Sequence, residues 1–453
     1  MVQLPQDEMP TRWFNILPVL EATIGKLPEP KDPDEGESRL KKLPEYLVGE
    51  CLNQEFSDQP WIDIPDEVQE SYLRVGRPRP LFRARHLEEK LKTPARIYWK
   101  AESFSPTGSH KTNTAIAQAY YAAKEGRERI VTETGAGQWG TALSHAAALN
   151  DLDCTVYWVR DVYDWKADRR NFMKFLGAKV FASPSKNTEV GRELLKEDSN
   201  HRGSLGIAIS EGIEDALRNR DTSRYCLGSV LNHVLLHQTI IGLEAKKQLE
   251  MIDEKPDVIT GCFGGGSNFG GITIPFIADV LNKKAETKFV AAQNEAAPSL
   301  VRGEYKYDFA DWAELTPMIP AYTLGHKTEL QPIKADGIRY HAGSPIFGHL
   351  KRHGIISAVA YPTDERYVFE RAKLFAQTEG WLVAPESAHG ITYAIDRAIK
   401  CKKNGKPEVI LVNVSGHGFL DIPGYREKLR KGMGGKISPE YIEQTTISSP
   451  FSF

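Results

Sequence analysis

The segment DVITGCFGGGSNFGGITI, residues 257–274, decides the fold, because it joins a strand-like apolar run to a helical run through a turn of small residues. We predict a strand over 257–262 and a helix over 270–281. Successive small residues can point several backbone N–H groups at one anion, and a helix N-terminus adds a partial positive charge. A phosphate group is the expected occupant. The alternative is a structural turn that binds nothing, and no Gly-Lys-Ser/Thr follows to make it a Walker motif.

Strand-like and helical runs alternate on both sides of this segment, which is typical of parallel sheets with crossover helices. We predict further strands over 97–100, 129–133, 154–159, 178–182, 288–293, 357–361 and 408–414. Further helices are predicted over 112–125, 167–176, 235–251 and 362–380. Residues 381–390 read as an apolar strand running into a helix start, and 295–345 as irregular. We therefore expect an α/β protein of two three-layer αβα lobes, with its ligand in the crevice beyond the carboxyl ends of the strands.

The composition favours small-molecule partners. The chain has 453 residues, 41% of them hydrophobic, and a formal net charge of -2, which gives no basic excess for binding nucleic acid. No signal peptide and no long apolar span is visible, so we expect a cytoplasmic protein without a membrane segment. The cysteines are odd in number and widely spaced, as expected for reduced thiols: Cys51, Cys154, Cys226, Cys262 and Cys401.

Lys111 stands where a loop containing Pro106 and Gly108 meets the predicted helix 112–125. A partly desolvated lysine held at such a place is nucleophilic and can carry a carbonyl cofactor as a Schiff base. For any single lysine a solvated surface position is the alternative. The phosphate turn at 264–266 favours the cofactor interpretation.

A second glycine turn, ETGAGQWG at 133–140, follows a predicted strand and matches GxGxxG. One interpretation is a dinucleotide site, with Arg160 and Asp161 about twenty residues further on. That interpretation leaves Lys111 without a role. The alternative is that the N–H groups of the turn and the Thr134 hydroxyl hold a substrate carboxylate, while Glu133 acts as an acid–base group.

Four other positions are candidates for a role near a cofactor or a metal. Ser415 follows the last predicted strand and either caps a loop or faces a pyridine nitrogen, which it would leave largely neutral. Glu386 is either a helix cap or a neighbour of the cofactor ring. His349 and His353 have metal-ligand spacing, but no Glu follows the first histidine, and we expect no metal site there.

Together these motifs resemble the tryptophan synthase β-chain family of fold-type II pyridoxal-phosphate (PLP) enzymes. The resemblance covers about residues 70–425 and runs through 76–81, 107–113, 133–140, 264–268, 386–389 and 415–416. The proline-rich N-terminus and residues 337–341 look like the long-chain second subfamily. The resemblance implies PLP in the crevice between the lobes, condensation of indole with L-serine to L-tryptophan and water, a homodimer, a possible tryptophan synthase α-chain partner and a possible monovalent cation.

The resemblance also implies residue roles. Lys111 would hold PLP and move the α-proton, and Glu133 would protonate the departing β-oxygen and later assist attack by indole. The implied cofactor-binding residues are His110, Lys111, Asn113, Gly264, Gly265, Gly266, Ser267, Asn268, Glu386 and Ser415. The implied substrate-binding residues are Thr134, Gly135, Ala136, Gln138, Trp139 and Arg339.

The sequence departs from the family pattern in three places. Trp139 stands where histidine is usual, Arg339 aligns with a usual aspartate, and Ser-Gly-His-Gly-Phe at 415–419 replaces Ser-Gly-Arg-Gly-Asp. A guanidinium matches a phosphate group, so Arg339 suggests O-phospho-L-serine as an alternative amino donor. A salt bridge in a closing loop is the other interpretation of Arg339.

The expected domains are an N-terminal lobe over 1–225 and a C-terminal lobe over 226–453. The first lobe would include a mobile substrate-closing subdomain at about 126–215, and a segment near 77–109 would cross between the lobes. The first 75 residues, rich in proline and acidic groups, are expected to lie over the surface or to contact a partner. Rival functions are a serine or threonine deaminase, a non-enzymatic scaffolding subunit and a dinucleotide-dependent oxidoreductase.

Overall fold

The computed structural model describes residues 1–447. Its strands are β1 (Arg12–Phe14), β2 (Trp61–Asp63), β3 (Leu81–Arg83), β4 (Arg96–Lys100), β5 (Arg129–Thr134), β6 (Asp153–Val159), β7 (Lys179–Ser183), β8 (Ser223–Tyr225), β9 (Val258–Cys262), β10 (Lys288–Asn294), β11 (Glu304–Phe309), β12 (Met318–Thr323), β13 (Ile356–Tyr361) and β14 (Val409–Asn413).

The α-helices are α1 (Leu17–Thr23), α2 (Leu43–Tyr46), α3 (Gly49–Glu55), α4 (Asp66–Arg74), α5 (Arg85–Leu91), α6 (Thr112–Lys124), α7 (Gln138–Leu149), α8 (Arg160–Tyr163), α9 (Ala167–Phe175), α10 (Glu189–Glu197), α11 (Leu205–Arg218), α12 (Asn232–Gln238), α13 (Ile240–Glu250), α14 (Ser267–Leu281), α15 (Ser299–Arg302), α16 (Pro345–Arg352), α17 (Arg366–Glu379), α18 (Pro385–Asn404), α19 (Ile422–Leu429) and α20 (Pro439–Ile447).

Two sheets organise the chain. The larger has the strand order β13-β10-β9-β14-β4-β3, parallel except for the edge strand β3. The smaller has the order β7-β6-β5-β8 and is parallel throughout. The expected α/β class with parallel sheets is confirmed. Parallel strands place their carboxyl ends at one edge of each sheet, where ligands bind in such folds.

Alternate residues of the central strands enter different cores, as the two-residue period of a strand requires. Ile259 and Leu411 lie in the core that includes α13 and α14, whereas Val258, Ile410 and Val412 lie in the core that includes α17 and α18. The larger sheet is therefore covered by helices on both faces, which explains the nearly continuous apolar runs of β9 and β14. In the smaller sheet, α7 and α11 pack against β5 and β6.

Tertiary contacts override several sequence predictions. The predicted helix 235–251 is two helices, broken at Thr239, whose hydroxyl accepts a hydrogen bond from the Phe14 backbone N–H at 3.0 Å. The expected irregular stretch 295–345 contains an antiparallel hairpin of β11 and β12. No strand forms over 381–384, where only Val383 makes an isolated bridge, to His417.

The N-terminal segment is part of the core and does not merely cover the surface. Trp13 and Tyr72 are fully buried, and the Trp13 ring lies 4.5 Å from that of His237. The Tyr72 hydroxyl donates to the Asn113 carbonyl at 2.9 Å, so this segment supports the start of α6, next to Lys111. The expectation of a peripheral wrap was wrong because large aromatic residues gain most from burial.

Two expected absences concern metals and membranes. Within residues 1–447, no cluster of three or more metal-ligating side chains occurs, and the side chains of His349 and His353 bond to the backbone carbonyls of Gly25 and His349. No helix in this described range has the length and apolar character needed to cross a membrane. All five cysteines are buried free thiols.

Candidate active site

A cavity lies beyond the carboxyl ends of β5, β9 and β14. Separate parts of the chain contribute to its wall, among them the start of α6, the end of β5 with the turn that follows it, the turn after β9, the start of α18 and Ser415. Residues of α11 and of the segments 227–230 and 336–340 complete the lining. The implied site residues that line it are His110, Lys111, Glu133, Thr134, Gly135, Ala136, Gln138, Trp139, Gly264, Gly265, Gly266, Ser267, Asn268, Glu386 and Ser415.

Lys111 immediately precedes α6 and reaches into this cavity. Its Nζ donates to the Gly228 carbonyl at 2.7 Å and lies 3.4 Å from Ser267 Oγ. Burial lowers the pKa of Lys111 to about 8, against the opposing influence of the nearby Glu133 carboxylate. A lysine with that pKa has an appreciable unprotonated fraction near neutrality, so its amine can act as a nucleophile and as a base.

The turn after β9 has the features of an anion site. Gly266, with φ of +113°, precedes α14 and has no side chain to cap the helix start, where the Ser229 hydroxyl accepts from the Ser267 backbone N–H at 3.2 Å. A Cβ on Gly265 would lie 2.5 Å from Ser229 Oγ, and one on Gly264 would lie 2.8 Å from the Gly337 carbonyl oxygen. Gly264 therefore allows a close approach of backbone to backbone, and Gly265 allows a close approach of the Ser229 side chain. The other backbone N–H groups of the turn, at a buried helix start, fit a phosphate group.

His110 lies beside this turn and is neutral. Burial, reinforced by the Lys111 charge, lowers the pKa of His110 to about 3. Its Nε2 is 3.0 Å from Ser267 Oγ, and its backbone N–H donates to the Ser415 carbonyl at 2.9 Å. His110 thus connects the phosphate turn with the loop after β14.

Asn268 supports the turn from behind. Its Nδ2 donates to the Cys262 carbonyl at 3.1 Å, and its Oδ1 accepts from Asn413 Nδ2 at 2.7 Å. These bonds tie the start of α14 to β9 and β14. The side-chain amide is therefore committed to the protein, and Asn268 contacts the cavity while holding the backbone of the turn in place.

Glu133, the penultimate residue of β5, is a buried carboxyl group beside the cavity. It accepts hydrogen bonds from the Tyr225 hydroxyl and, at 3.2 Å, from Thr132 Oγ1. Burial raises the pKa of Glu133 above its ordinary value, although these donors and Lys111 act in the opposite direction. A carboxyl group with a raised pKa holds its proton more readily than an ordinary glutamate, and its carboxylate is a stronger base, so Glu133 is suited to proton transfer.

The turn after β5 makes a second helix start at the cavity. Gly137, with φ of +86°, precedes α7, and a Cβ there would lie 2.5 Å from Trp158 and Arg169 side-chain atoms. Thr134 Oγ1 accepts from the Gly140 N–H at 3.2 Å. The partial positive charge at this start of α7 suits a substrate carboxylate.

Trp139 is a buried part of the wall next to Lys111. Its Nε1 donates to Thr132 Oγ1 at 2.6 Å. A Cβ on Gly228 would come within 2.4 Å of the Trp139 ring, so the ring packs directly on the residue whose carbonyl holds Lys111. The indole ring therefore fixes that carbonyl and fills space on this side of the cavity.

Glu386 joins the two glycine turns. One of its carboxylate oxygens accepts from the Gly337 N–H at 2.9 Å, and the other accepts from Gln138 Nε2 at 3.2 Å. Burial raises the pKa of Glu386, opposed by the Lys166 charge. Its two bonds link the start of α7 to the 3₁₀ turn Asp336–Ile338, whose Gly337 packs against Gly264.

The structure does not bring Asn113 and Arg339 to this cavity. Asn113 Oδ1 accepts from Arg77 Nη1 at 2.8 Å, and its Nδ2 donates to Glu102 at 3.1 Å, within a buried ion network. Arg339 lies in a neighbouring polar cavity, with guanidinium nitrogens 3.4 Å from both Asp161 and Asp336. The salt-bridge interpretation of Arg339 therefore describes its observed contacts.

Sequence reasoning missed Tyr225, Ser387 and Asp336. Tyr225 ends β8, which pairs with β5, so its place at the carboxyl end of a neighbouring strand was an available signal. Ser387 lies in the motif at 386–389, but no pattern in the sequence separates it from its neighbours. Asp336 lies in a stretch expected to be irregular, and burial raises its pKa to about 7 against the pull of Lys166.

Comparison with known proteins agrees with this geometry. The family model described as pyridoxal-phosphate dependent enzyme matches residues 73–416. The chain is 55% identical to the tryptophan synthase beta chain of Pyrococcus horikoshii, over 99% of this chain and 96% of that one. It is 52% identical to tryptophan synthase beta chain 2 of Pyrococcus furiosus, over 100% of this chain and 99% of that one. The chain belongs to the tryptophan synthase β-chain family.

Solved structures of other enzymes share the fold of this tryptophan synthase β-chain family member. A fungal L-serine ammonia-lyase from Rhizomucor miehei matches with a TM-score of 0.57 and 17% identity, covering 78% of this chain and 98% of that one. Serine racemase from Dictyostelium discoideum matches with a TM-score of 0.53 and 21% identity, covering 78% and 97%. At these identities the likeness concerns the fold alone.

Proposed function

We propose that this protein condenses indole with L-serine to give L-tryptophan and water, with PLP as cofactor. The observation that carries the proposal is the pairing of Lys111, whose pKa is lowered, with Glu133, whose pKa is raised, in one cavity between the starts of α7 and α14. Groups whose pKa values are displaced toward neutrality are suited to proton transfer. Membership of the tryptophan synthase β-chain family supports the same conclusion.

The residues present fit PLP. The start of α14 and the close-packed glycines 264–266 suit its phosphate, Lys111 suits its aldehyde carbon, and Ser415 suits its ring nitrogen. When bound, PLP draws electrons from an attached amino acid, so that its α-proton and β-substituent become labile. A neutral hydroxyl at the ring, instead of a carboxylate, leaves the nitrogen largely unprotonated and favours chemistry at the β-carbon.

The chain supplies proton transfers and positioning. The amine of Lys111 takes and returns the proton at the α-carbon. The carboxyl group of Glu133 gives its proton to the departing β-hydroxyl, and its carboxylate then assists the attack of indole. The backbone N–H groups of Gly135 and Ala136, at the start of α7, bind the substrate carboxylate together with Thr134 and Gln138.

An apolar wall beside these groups suits indole. Leu205, Ile209, Leu227 and Val230 line one side of the cavity, and they leave indole in contact with carbon atoms instead of water. Excluding water from this side favours attack by indole over hydrolysis, which would give the deaminase reaction. The synthase function is therefore preferred to the deaminase alternative.

L-Serine is the donor that the contacts of Arg339 favour. A guanidinium between Asp161 and Asp336 already has anionic partners, and O-phospho-L-serine would have to displace them. The test is kcat/KM for both donors in the wild type and in Arg339→Ala. A selective loss with phosphoserine supports the phosphate role, and an equal effect on both donors contradicts it.

The remaining expectations rest on the family resemblance. We propose a cytoplasmic homodimer with a subdomain near 126–215 that closes over the substrate, activation by a monovalent cation and association with an α-chain. Light scattering of the purified protein measures its oligomeric state, and activity in potassium against a bulky organic cation measures cation dependence. A monomer with full activity would contradict the homodimer proposal.

The function is tested by following the cofactor absorption spectrum during successive additions of L-serine and indole. We expect L-serine to change the absorption spectrum of the cofactor, and indole to reverse that change as L-tryptophan appears. A spectrum that responds to L-serine but not to indole, with pyruvate as the product, would indicate a deaminase instead.

A further inference from the structure

Two buried serine hydroxyls lie in contact behind the cavity. Ser415, which lines the cavity, places its Oγ 2.7 Å from the Oγ of Ser387, which does not line it. Ser387 is the third residue of α18 and is fully buried. Because Ser387 has no access to the cavity, any influence of its hydroxyl on a bound group must pass through Ser415.

The hydrogen-bond partners favour one direction for this contact. The Gly416 backbone N–H donates to Ser387 Oγ at 2.9 Å. The single proton of the Ser387 hydroxyl then has two acceptors within reach, Ser415 Oγ at 2.7 Å and the Gly416 carbonyl at 3.5 Å. The shorter bond is much the stronger. This arrangement favours Ser387 as the donor and Ser415 Oγ as the acceptor, so that the Ser415 oxygen is engaged on its protein side.

The proton of Ser415 has no strong acceptor among residues 1–447. Its remaining neighbour is Cys262 Sγ at 3.4 Å, and Asn268 Nδ2 donates to that sulfur at 3.3 Å. Burial raises the pKa of Cys262 to about 12, so the group is a thiol and a poor acceptor. An unprotonated nitrogen in the cavity is a better acceptor for the Ser415 proton.

We propose that Ser387 is a positioning residue that commits the Ser415 hydroxyl to donate its proton into the cavity, so that the site holds the cofactor ring nitrogen in its unprotonated form. The proposal rests on the proposed placement of the PLP ring nitrogen at Ser415. Without the Ser387 hydroxyl, Ser415 can rotate and accept a hydrogen bond instead, which would also accommodate a protonated ring nitrogen.

A double-mutant cycle on PLP affinity tests whether Ser387 acts through Ser415. Apoprotein is titrated with PLP for the wild type, Ser387→Ala, Ser415→Ala and the double variant. Ser387→Ala is expected to weaken binding about 3- to 10-fold in the wild type, the range of one net hydrogen bond. In the Ser415→Ala background it is expected to change binding less than about 2-fold.

A second readout follows the ring nitrogen itself. The chemical shift of ¹⁵N-labelled PLP, recorded against pH in the holoprotein, is expected to report a more protonated nitrogen in Ser387→Ala than in the wild type. Thr392→Val is the control, because Thr392 is a buried hydroxyl of the same helix that donates only to the Ala388 carbonyl, at 2.7 Å. It should leave both PLP affinity and the nitrogen shift unchanged.

Equal losses from Ser387→Ala in both backgrounds, or an unchanged nitrogen shift, would overturn the proposal. If Ser387→Ala does not fold, Ser387→Cys keeps the shape with a weaker donor and is expected to show part of the same change. Failure of the proposed function is a separate result, because it would be seen in the wild type as no PLP binding or no L-tryptophan.

Discussion

Replacing Tyr225 with phenylalanine removes the hydroxyl that donates to the Glu133 carboxylate. That bond stabilises the charged form of Glu133, so its loss raises the pKa of Glu133. Hydrogen bonds to charged groups contribute about 1.5–3 kcal/mol, and one pKa unit corresponds to about 1.4 kcal/mol. The expected rise is therefore about 1 to 2 pH units. The opposing charge near Glu133, on Lys111, is unaffected by the substitution.

The assay is the pH dependence of kcat/KM for indole at saturating L-serine. Attack by indole needs the Glu133 carboxylate, so the rate rises with pH as Glu133 loses its proton. In Tyr225→Phe this acid limb should move upward by about 1 to 2 units. Glu133→Gln should abolish the limb together with most of the activity.

Tyr340→Phe is the matched control. Tyr340 lines the same cavity, but its hydroxyl donates to the Ala310 carbonyl at 2.8 Å and not to a titrating group. Removal of the Tyr340 hydroxyl should leave the pH of the acid limb unchanged. An acid limb that stays at the same pH or moves to lower pH in Tyr225→Phe would show that the Tyr225 hydroxyl does not lower the pKa of Glu133. An equal upward shift in both variants would show the same.

Three further predictions concern the cofactor turn, the ion network and the wall of the cavity. Gly265→Ala places a Cβ 2.5 Å from Ser229 Oγ and should weaken PLP binding at least about 10-fold. Gly432 has open space around it, so Gly432→Ala should leave PLP affinity unchanged. Equal PLP affinities of the two variants would contradict the role of the turn. Asn113→Ala removes a hydrogen-bond partner from both Arg77 and Glu102, so the free energy of unfolding in urea should fall by about 1–3 kcal/mol while PLP affinity is retained. A loss of PLP affinity at unchanged stability would contradict this placement of Asn113. Trp139→Ala removes the ring that packs on Gly228 and admits water to the cavity. The kcat for L-tryptophan formation should fall while pyruvate formation rises. An unchanged ratio of the two products would argue against water exclusion by Trp139.

Local patterns predicted the elements that build the site. The strands before Glu133 and Gly264 and the helix after Lys111 follow from short-range signals, because an apolar run, a glycine turn and a helical run succeed one another in the chain. The start of α14 was placed three residues too late, at 270 and not at Ser267. Glycines and polar residues resemble a loop in sequence, but here the Ser344 N–H donates to the Gly265 carbonyl at 3.0 Å and fixes the turn.

Long-range contacts determined what sequence reasoning could not predict. Asn113 stands in the lysine motif, yet its amide points into the Arg77 network because the partners of that network lie far away along the chain. The hairpin of β11 and β12 forms within a stretch that has no helical or strand period over its whole length. The role of Ser387 depends on the packing of α18 beside Ser415, two residues after β14, which no local pattern shows.

The most direct test of the central claim is the product formed from L-serine and indole by PLP-loaded protein, in the wild type and in Lys111→Ala. The wild type is expected to convert the two substrates into equal amounts of L-tryptophan and water. A loss of at least about 100-fold is expected in Lys111→Ala, because one residue both holds the cofactor and moves the α-proton. Pyruvate and ammonia as the wild-type products, or a fully active Lys111→Ala protein, would contradict the claim.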